Sequence, residues 1–188
     1  LATVLVSDGN STPEALGYMR DVTDVFRVDV KGADDGAYKK CGGRLSPVLD
    51  SLAAARRLGY WTEAVTLWVP GLNQDLASVR SLARTLREID PELVWHLNAF
   101  VPRYRLSHTP AADPNFLVSA AGTAYAAGLR FVYVGNVAAL DELSHTRCPD
   151  CHYVLIRRRN YETLENRLDD GRCPQCARPI PGLWERSS

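Results

Sequence analysis

The sequence carries no surplus of charge: 22 lysines and arginines balance 22 aspartates and glutamates. A general electrostatic grip on nucleic acid or on an anionic membrane is therefore not expected. No apolar run approaches the roughly 20 residues that a membrane span needs. The first residues lack the basic start and apolar core of a secretory leader. No glycine-rich phosphate loop and no nucleophile elbow is present, which sets aside the P-loop and the serine-hydrolase readings. Cysteine is scarce, with five in 188 residues, and four of them stand in two Cys-Pro-x-Cys pairs. Short paired spacings suit a metal in a reducing compartment better than a disulfide framework, so the expectation is a cytoplasmic protein.

What is there is an alternation of strands and helices through residue 136. Val4 to Ser7 reads as a strand and Asp8-Gly9-Asn10 as a turn. Ser11 and Thr12 offer N-caps, Pro13 suits a first helical turn, and Glu14 lies three after Ser11, as in a capping box. That helix is expected to run to about Thr23. Further strands are expected over Val25–Val30, Trp61–Val69, Leu93–Phe100 and Arg130–Gly135. A short helix is expected over Asp34–Lys40, and longer ones from Ser46-Pro47 to Leu58, over Leu76–Ile89 and over Phe116–Ala127. The pattern implies an α/β fold with about five parallel strands. An open doubly wound sheet and a piece of a barrel are both compatible with it. The pattern breaks near Asn136, and residues 137–188 carry the paired cysteines.

Ligands of parallel α/β folds gather at the carboxyl ends of the strands. Here those ends hold Ser7-Asp8-Gly9-Asn10, Asp29-Val30-Lys31-Gly32, Glu63 and Thr66, His96 and Asn98, and Tyr133 to Asn136. Taken singly, each is a turn former, a cap or a paired core residue as readily as a ligand. His96 could be a hydrogen-bonded core histidine or a ligand contact, and Glu63 could pair with a lysine.

The residues nevertheless resemble a family. The order Ser7-Asp-Gly-Asn-x-Thr-Pro-Glu-Ala-Leu16, Val28-Asp-Val-Lys-Gly32, and Tyr38-Lys-Lys-Cys-Gly-Gly-Arg-Leu-x-Pro-Val-Leu49 resembles the radical S-adenosylmethionine enzymes. The likeness is to the AmmeMemoRadiSam-system branch, similar to pyruvate formate-lyase activating enzymes. Val69-Pro-Gly-Leu-Asn73, Trp95-His-Leu97, Pro102-Arg-Tyr104, Gly128 to Asn136 and Ile180-Pro-Gly-Leu-Trp184 extend it over nearly the whole chain.

The resemblance implies a partial (β/α) barrel over residues 1–136. It would be the carboxyl-terminal part of an oxidoreductase that cleaves S-adenosylmethionine reductively over a [4Fe-4S] cluster. By position, Ser7, Asp8, Asp29 and Lys31 match residues that line the methionine moiety, and His96 falls in the strand that borders the cofactor. A zwitterionic amino acid calls for one carboxylate and one ammonium nearby. The chain departs from the family at two places. The Cys-x3-Cys-x2-Cys cluster loop is absent from the sequence, and Val101 stands where relatives often carry a histidine. The expected partners are therefore the amino-terminal half of the barrel and, by the resemblance, a protein substrate or AMMECR- and Memo-type proteins.

Cys148-Pro-Asp-Cys151 and Cys173-Pro-Gln-Cys176 read as two knuckles of a four-thiolate zinc ribbon over residues 137–188, with zinc preferred to iron. Tyr153 to Ile156 and Tyr161 to Leu164 are expected as the strands between them. Relatives usually place glycine after each second cysteine, where this chain has His152 and Ala177. Arg157-Arg-Arg159 is expected to be a solvated turn rather than a nucleic-acid contact. Cys41 is either a small core residue or a thiol on the substrate side. The rival to the enzyme-fragment reading is a non-catalytic zinc-ribbon module that binds a protein or nucleic acid.

Overall fold

The computed structural model describes residues 1–160 and 162–184. Five strands form one parallel sheet in sequence order: β1 (Val4–Ser7), β2 (Val25–Asp29), β3 (Trp61–Trp68), β4 (Val94–Ala99) and β5 (Phe131–Gly135). Every neighbouring pair is parallel, so each connection is a crossover through helix. The helices are α1 (Pro13–Met19), α2 (Asp35–Lys40), α3 (Leu45–Arg57), α4 (Leu76–Ile89) and α5 (Pro114–Ala126). The sheet is open, a partial barrel of the expected kind. Among the described residues no helix is long and apolar enough to cross a membrane.

The helix starts follow local chemistry. Thr12, not Ser11, caps α1 by accepting from the Ala15 amide, which puts Pro13 in the first turn. That helix stops at Met19 and tightens into a 3-10 turn over Arg20–Val22. Asp34, Asp75 and Asp113 cap α2, α4 and α5 in the same way. The Asp113-Pro114 start explains why α5 begins two residues before Phe116.

One sheet face is buried under the helices. Phe26, Val28, Ala64, Trp68, Trp95, Leu97, Val132 and Val134 meet Leu16, Leu52, Leu82, Leu86 and Leu117 there. On α4 the stripe Val79, Leu82, Ala83 and Leu86 is fully buried, and each of its larger side chains contributes roughly 1.5–3 kcal/mol. Thr66 lies on this face, accepting from the Trp95 indole at 3.0 Å, so it is a core residue rather than a strand-end ligand.

A second sheet is antiparallel: β6 (Thr146–Arg147), β7 (Val154–Arg159) and β8 (Glu162–Asn166). It follows a 3-10 segment over Ala138–Ser144. It packs against the other face of the parallel sheet, on the side of β4 and β5. There Val94 and Phe131 share an apolar cluster with Cys148, Leu155, Ile156, Cys173 and Ile180. Polar ties reinforce the contact: Arg178 reaches Glu92 at 2.8 Å and Asp150 at 2.7 Å.

Candidate functional site

The carboxyl ends of β1 and β2 bring Ser7, Asp8, Asp29 and Lys31 side by side, since Ser7 pairs with Val28 in the sheet register. The turn after β1 depends on Gly9. Its φ is +82°, and a Cβ there would run into Val28 and Val48. Ser7 Oγ accepts from the Gly9 amide and Asp8 Oδ1 from the Asn10 amide, so both side chains spend an acceptor on the turn. Lys31 Nζ donates to Asp29 Oδ2 at 2.7 Å. The pair is part exposed and opens at small cost, which leaves one ammonium and one carboxylate for a zwitterionic ligand.

Two buried side chains fix this rim. Tyr38 accepts from the Lys31 amide, and burial pushes its hydroxyl up to about 12, helped by the charges of Cys41, Asp29 and Asp8. Asn73 closes the ends of β2 and β3. Its Oδ1 accepts from the Val69 amide, and its Nδ2 donates to the carbonyls of Lys31 and Leu67. Cys41 is exposed just beyond α2, which settles the sequence alternatives against a core role.

His96 lies on the inner face in one row with Asp29, because Asp29 opposes Val65 and Val65 opposes His96. Two strand spacings, roughly 10 Å, separate them. Its Nε2 meets Glu63 Oε2 at 3.1 Å. Glu63 also accepts from the Trp61 indole and faces Arg27 at 3.7 Å, so its partners are a histidine and an arginine rather than a lysine. Burial raises the Glu63 carboxyl, but His96, Trp61 and Arg27 outweigh it and hold it below the ordinary value.

Arg27 and Trp61 are not among the strand-end candidates that the sequence offers, and Tyr133 enters there only as part of the end of β5. Their signal is the period of two that sets Val25, Arg27 and Asp29, or Phe131, Tyr133 and Gly135, on one face. The inner face and the second sheet together form the walls of an open cavity of about 820 Å³ lined by Glu63, His96, Asn98 and Tyr133. Arg158 of β7 reaches into it, so the middle arginine of Arg157-Arg-Arg159 is not part of a solvated turn.

The four sulfurs of Cys148, Cys151, Cys173 and Cys176 all lie within 4.8 Å of one another. Cys148 to Cys176 and Cys151 to Cys173 are each 3.6 Å. A single tetrahedral ion with metal–sulfur bonds of about 2.3 Å sets its sulfurs about 3.8 Å apart, so the cage fits one such ion. The two knuckles are built alike. The His152 amide donates to the Cys148 carbonyl and the Ala177 amide to that of Cys173, and both residues sit at φ 59°. This left-handed conformation is the reason glycine is usual there. His152 is exposed and stands outside the set of four sulfurs. Burial pushes the Cys173 thiol up, but amides of Gln175 and Cys176 aimed at its sulfur prevail and bring it to about 7. Tyr161, expected to open a strand here, lies outside the described residues.

No protein-family model matches the chain. An uncharacterized protein of Methanocaldococcus jannaschii is 31% identical over 180 residues, which is 94% of this chain and 53% of that protein. The chain thus spans about half the length of the curated relative it matches. A domain of a pyruvate-formate lyase-activating enzyme from Bacteroides vulgatus superposes with a TM-score of 0.59. Its identity is 12%, over 72% of this chain and 82% of that one. A radical SAM methyltransferase from Sphaerobacter thermophilus superposes with a TM-score of 0.58 at 11% identity, over 73% of this chain and 42% of that one. The chain shares the fold of these enzymes.

Proposed function

We propose that this chain is the carboxyl-terminal part of a radical S-adenosylmethionine oxidoreductase. In this reading residues 1–136 form part of the barrel, and residues 137–188 form a zinc ribbon. The observation that carries it is the Asp29–Lys31 pair, set beside the Ser7-Asp8 turn at the open strand ends of a fold shared with radical SAM enzymes. Ser7, Asp8, Asp29 and Lys31 would hold the methionine moiety, and His96 would stand two strands away in the same row as Asp29. When bound and given one electron from a reductant outside these residues, the cofactor would supply a carbon-centred radical and release methionine. The residues of this chain would bind and orient it.

The residues present do not fit the four-iron cluster of such enzymes. Cys41 offers a single exposed thiol, and the other four cysteines are gathered around one another. We place its ligands in polypeptide outside these 188 residues, which is the partner this reading requires. The matched protein, about twice as long, is consistent with that. For the cysteine cage we infer zinc: four thiolates at this spacing suit a tetrahedral ion, and iron is the rival that the same geometry admits.

The test is anaerobic reconstitution of the full-length polypeptide with iron, sulfide and a strong reductant, followed by assay for 5′-deoxyadenosine. Release that falls at least tenfold in Asp29→Ala and Lys31→Ala supports the reading. No 5′-deoxyadenosine from a cluster-loaded protein sinks it, and leaves a metal-stabilised binding module as the better account.

A further inference from the structure

The ribbon does more than cover the sheet: it lends a charged side chain to the cavity. Strand alternation turns Ile156 and Arg158 inward and Arg157 and Arg159 away. Ile156 joins the apolar cluster with Val94 and Phe131, and Arg158 lies with its guanidinium carbon 5.7 Å from the centre of the Tyr133 ring. The bonds of Arg158 from Nη1 run to the Ser144 carbonyl at 3.2 Å and Thr146 Oγ1 at 2.7 Å, both neutral acceptors. Among the described residues no carboxylate oxygen comes within 4 Å of it, although ten other ion pairs form. The contrast with Arg27 is informative, since that side chain already has Glu63. A half-buried guanidinium fixed by neutral partners has no carboxylate in ion-pair contact, Asp141 and the Arg27-paired Glu63 standing elsewhere on the cavity wall, and it has further N–H groups to offer.

What surrounds it narrows the ligand. Trp61, Phe131, Tyr133 and Trp184 line the same cavity. His96 packs on Tyr133 at 5.5 Å between ring centres, so His96 and Arg158 both border that ring. Aromatic walls favour a flat apolar body, and a planar fork of donors favours a carboxylate or phosphate.

We propose that the cavity between the inner sheet face and the ribbon is a ligand site for a small aromatic molecule bearing one oxyanion group, with Arg158 as its anchor. This site is distinct from the strand-end rim at Asp29 and Lys31, and it does not depend on radical chemistry. It makes the ribbon a specificity-determining wall, and the metal cage holds Arg158 in place through Cys148, which shares a cluster with Ile156.

The zinc-loaded chain, free of iron and reductant, is titrated by calorimetry with phenyl phosphate, with benzoate and with neutral phenol. One or both anions bind at least tenfold more tightly than phenol. Which anion binds distinguishes a phosphate from a carboxylate ligand. Arg158→Gln removes the preference and leaves phenol binding and zinc content unchanged, while Arg158→Lys retains part of it. Asp29→Ala, at the other site, leaves it intact. Equal binding of anions and phenol overturns the proposal, as does a preference that survives Arg158→Gln or disappears in Asp29→Ala. If Arg158→Gln does not fold, the arginine Nε–Hε spectrum of the wild-type chain decides, with Arg158→Lys giving the assignment. A phenyl phosphate- or benzoate-induced shift at Arg158 supports the site, and its absence overturns it.

Discussion

Asn73 is 4% exposed and holds three backbone groups: the Leu67 carbonyl of β3, the Val69 amide just after it and the Lys31 carbonyl beyond the end of β2. Asn73→Ala orphans them all at once and is expected to cost about 3 kcal/mol in urea unfolding. Asp in its place restores the acceptor but neither donor, and does not rescue. Glu63 yields a pH prediction. Its folded carboxyl is held below the ordinary 4.5, so the stability it contributes is present above that value and lost as pH falls through the lowered one. Thermal melts of Glu63→Gln should fall below wild type at neutral pH and converge with it in acid; parallel curves would contradict the pairing with His96. At this scale the sequence was legible where local geometry dictates residue type. Gly9 and the Asp caps are such positions. It marked Glu63 but left a lysine as its possible partner, because the actual partners His96 and Arg27 come from other strands.

The proposed ribbon is the element that a bound metal would order. Two of its four clustered cysteines, Cys148 and Cys173, are buried within the cluster that also takes in Val94 and Phe131. Metal binding and folding of such modules are coupled. Cys173→Ser, or a strong chelator, is expected to release one zinc per chain and to raise hydrogen exchange across β7 and β8 while the core of β2, β3 and β4 stays protected. Elemental analysis that finds iron in place of zinc would refute the metal assignment. The elements themselves followed the sequence closely, because hydrophobic period and caps act within a few residues. The differences sit at their ends: α1 yields to a 3-10 turn where Arg20 turns to the carbonyls of Leu58 and Gly59.

Seen whole, the molecule is a half-open sheet with one face closed by helices and part of the other closed by the ribbon. β1 is an edge strand, and its inward-facing Val4 and Val6 are 50% and 65% exposed. An unpaired edge with an apolar face promotes association. The chain is expected to sediment as dimers or larger species, and Val6→Lys to shift it toward monomer. A monodisperse wild-type monomer would speak against an unfilled edge. The sequence by itself determined the alternation of strand and helix, the parallel sheet it implies, and the four-cysteine cage, because spacing along the chain carries each of these. Only the tertiary structure decided that the second sheet folds back over β4 and β5, that Thr66 points into the core, and that Arg158 packs over the Tyr133 ring at the cavity wall. Those facts depend on which strand face each side chain takes and on contacts between residues far apart in the chain, and no local pattern encodes them.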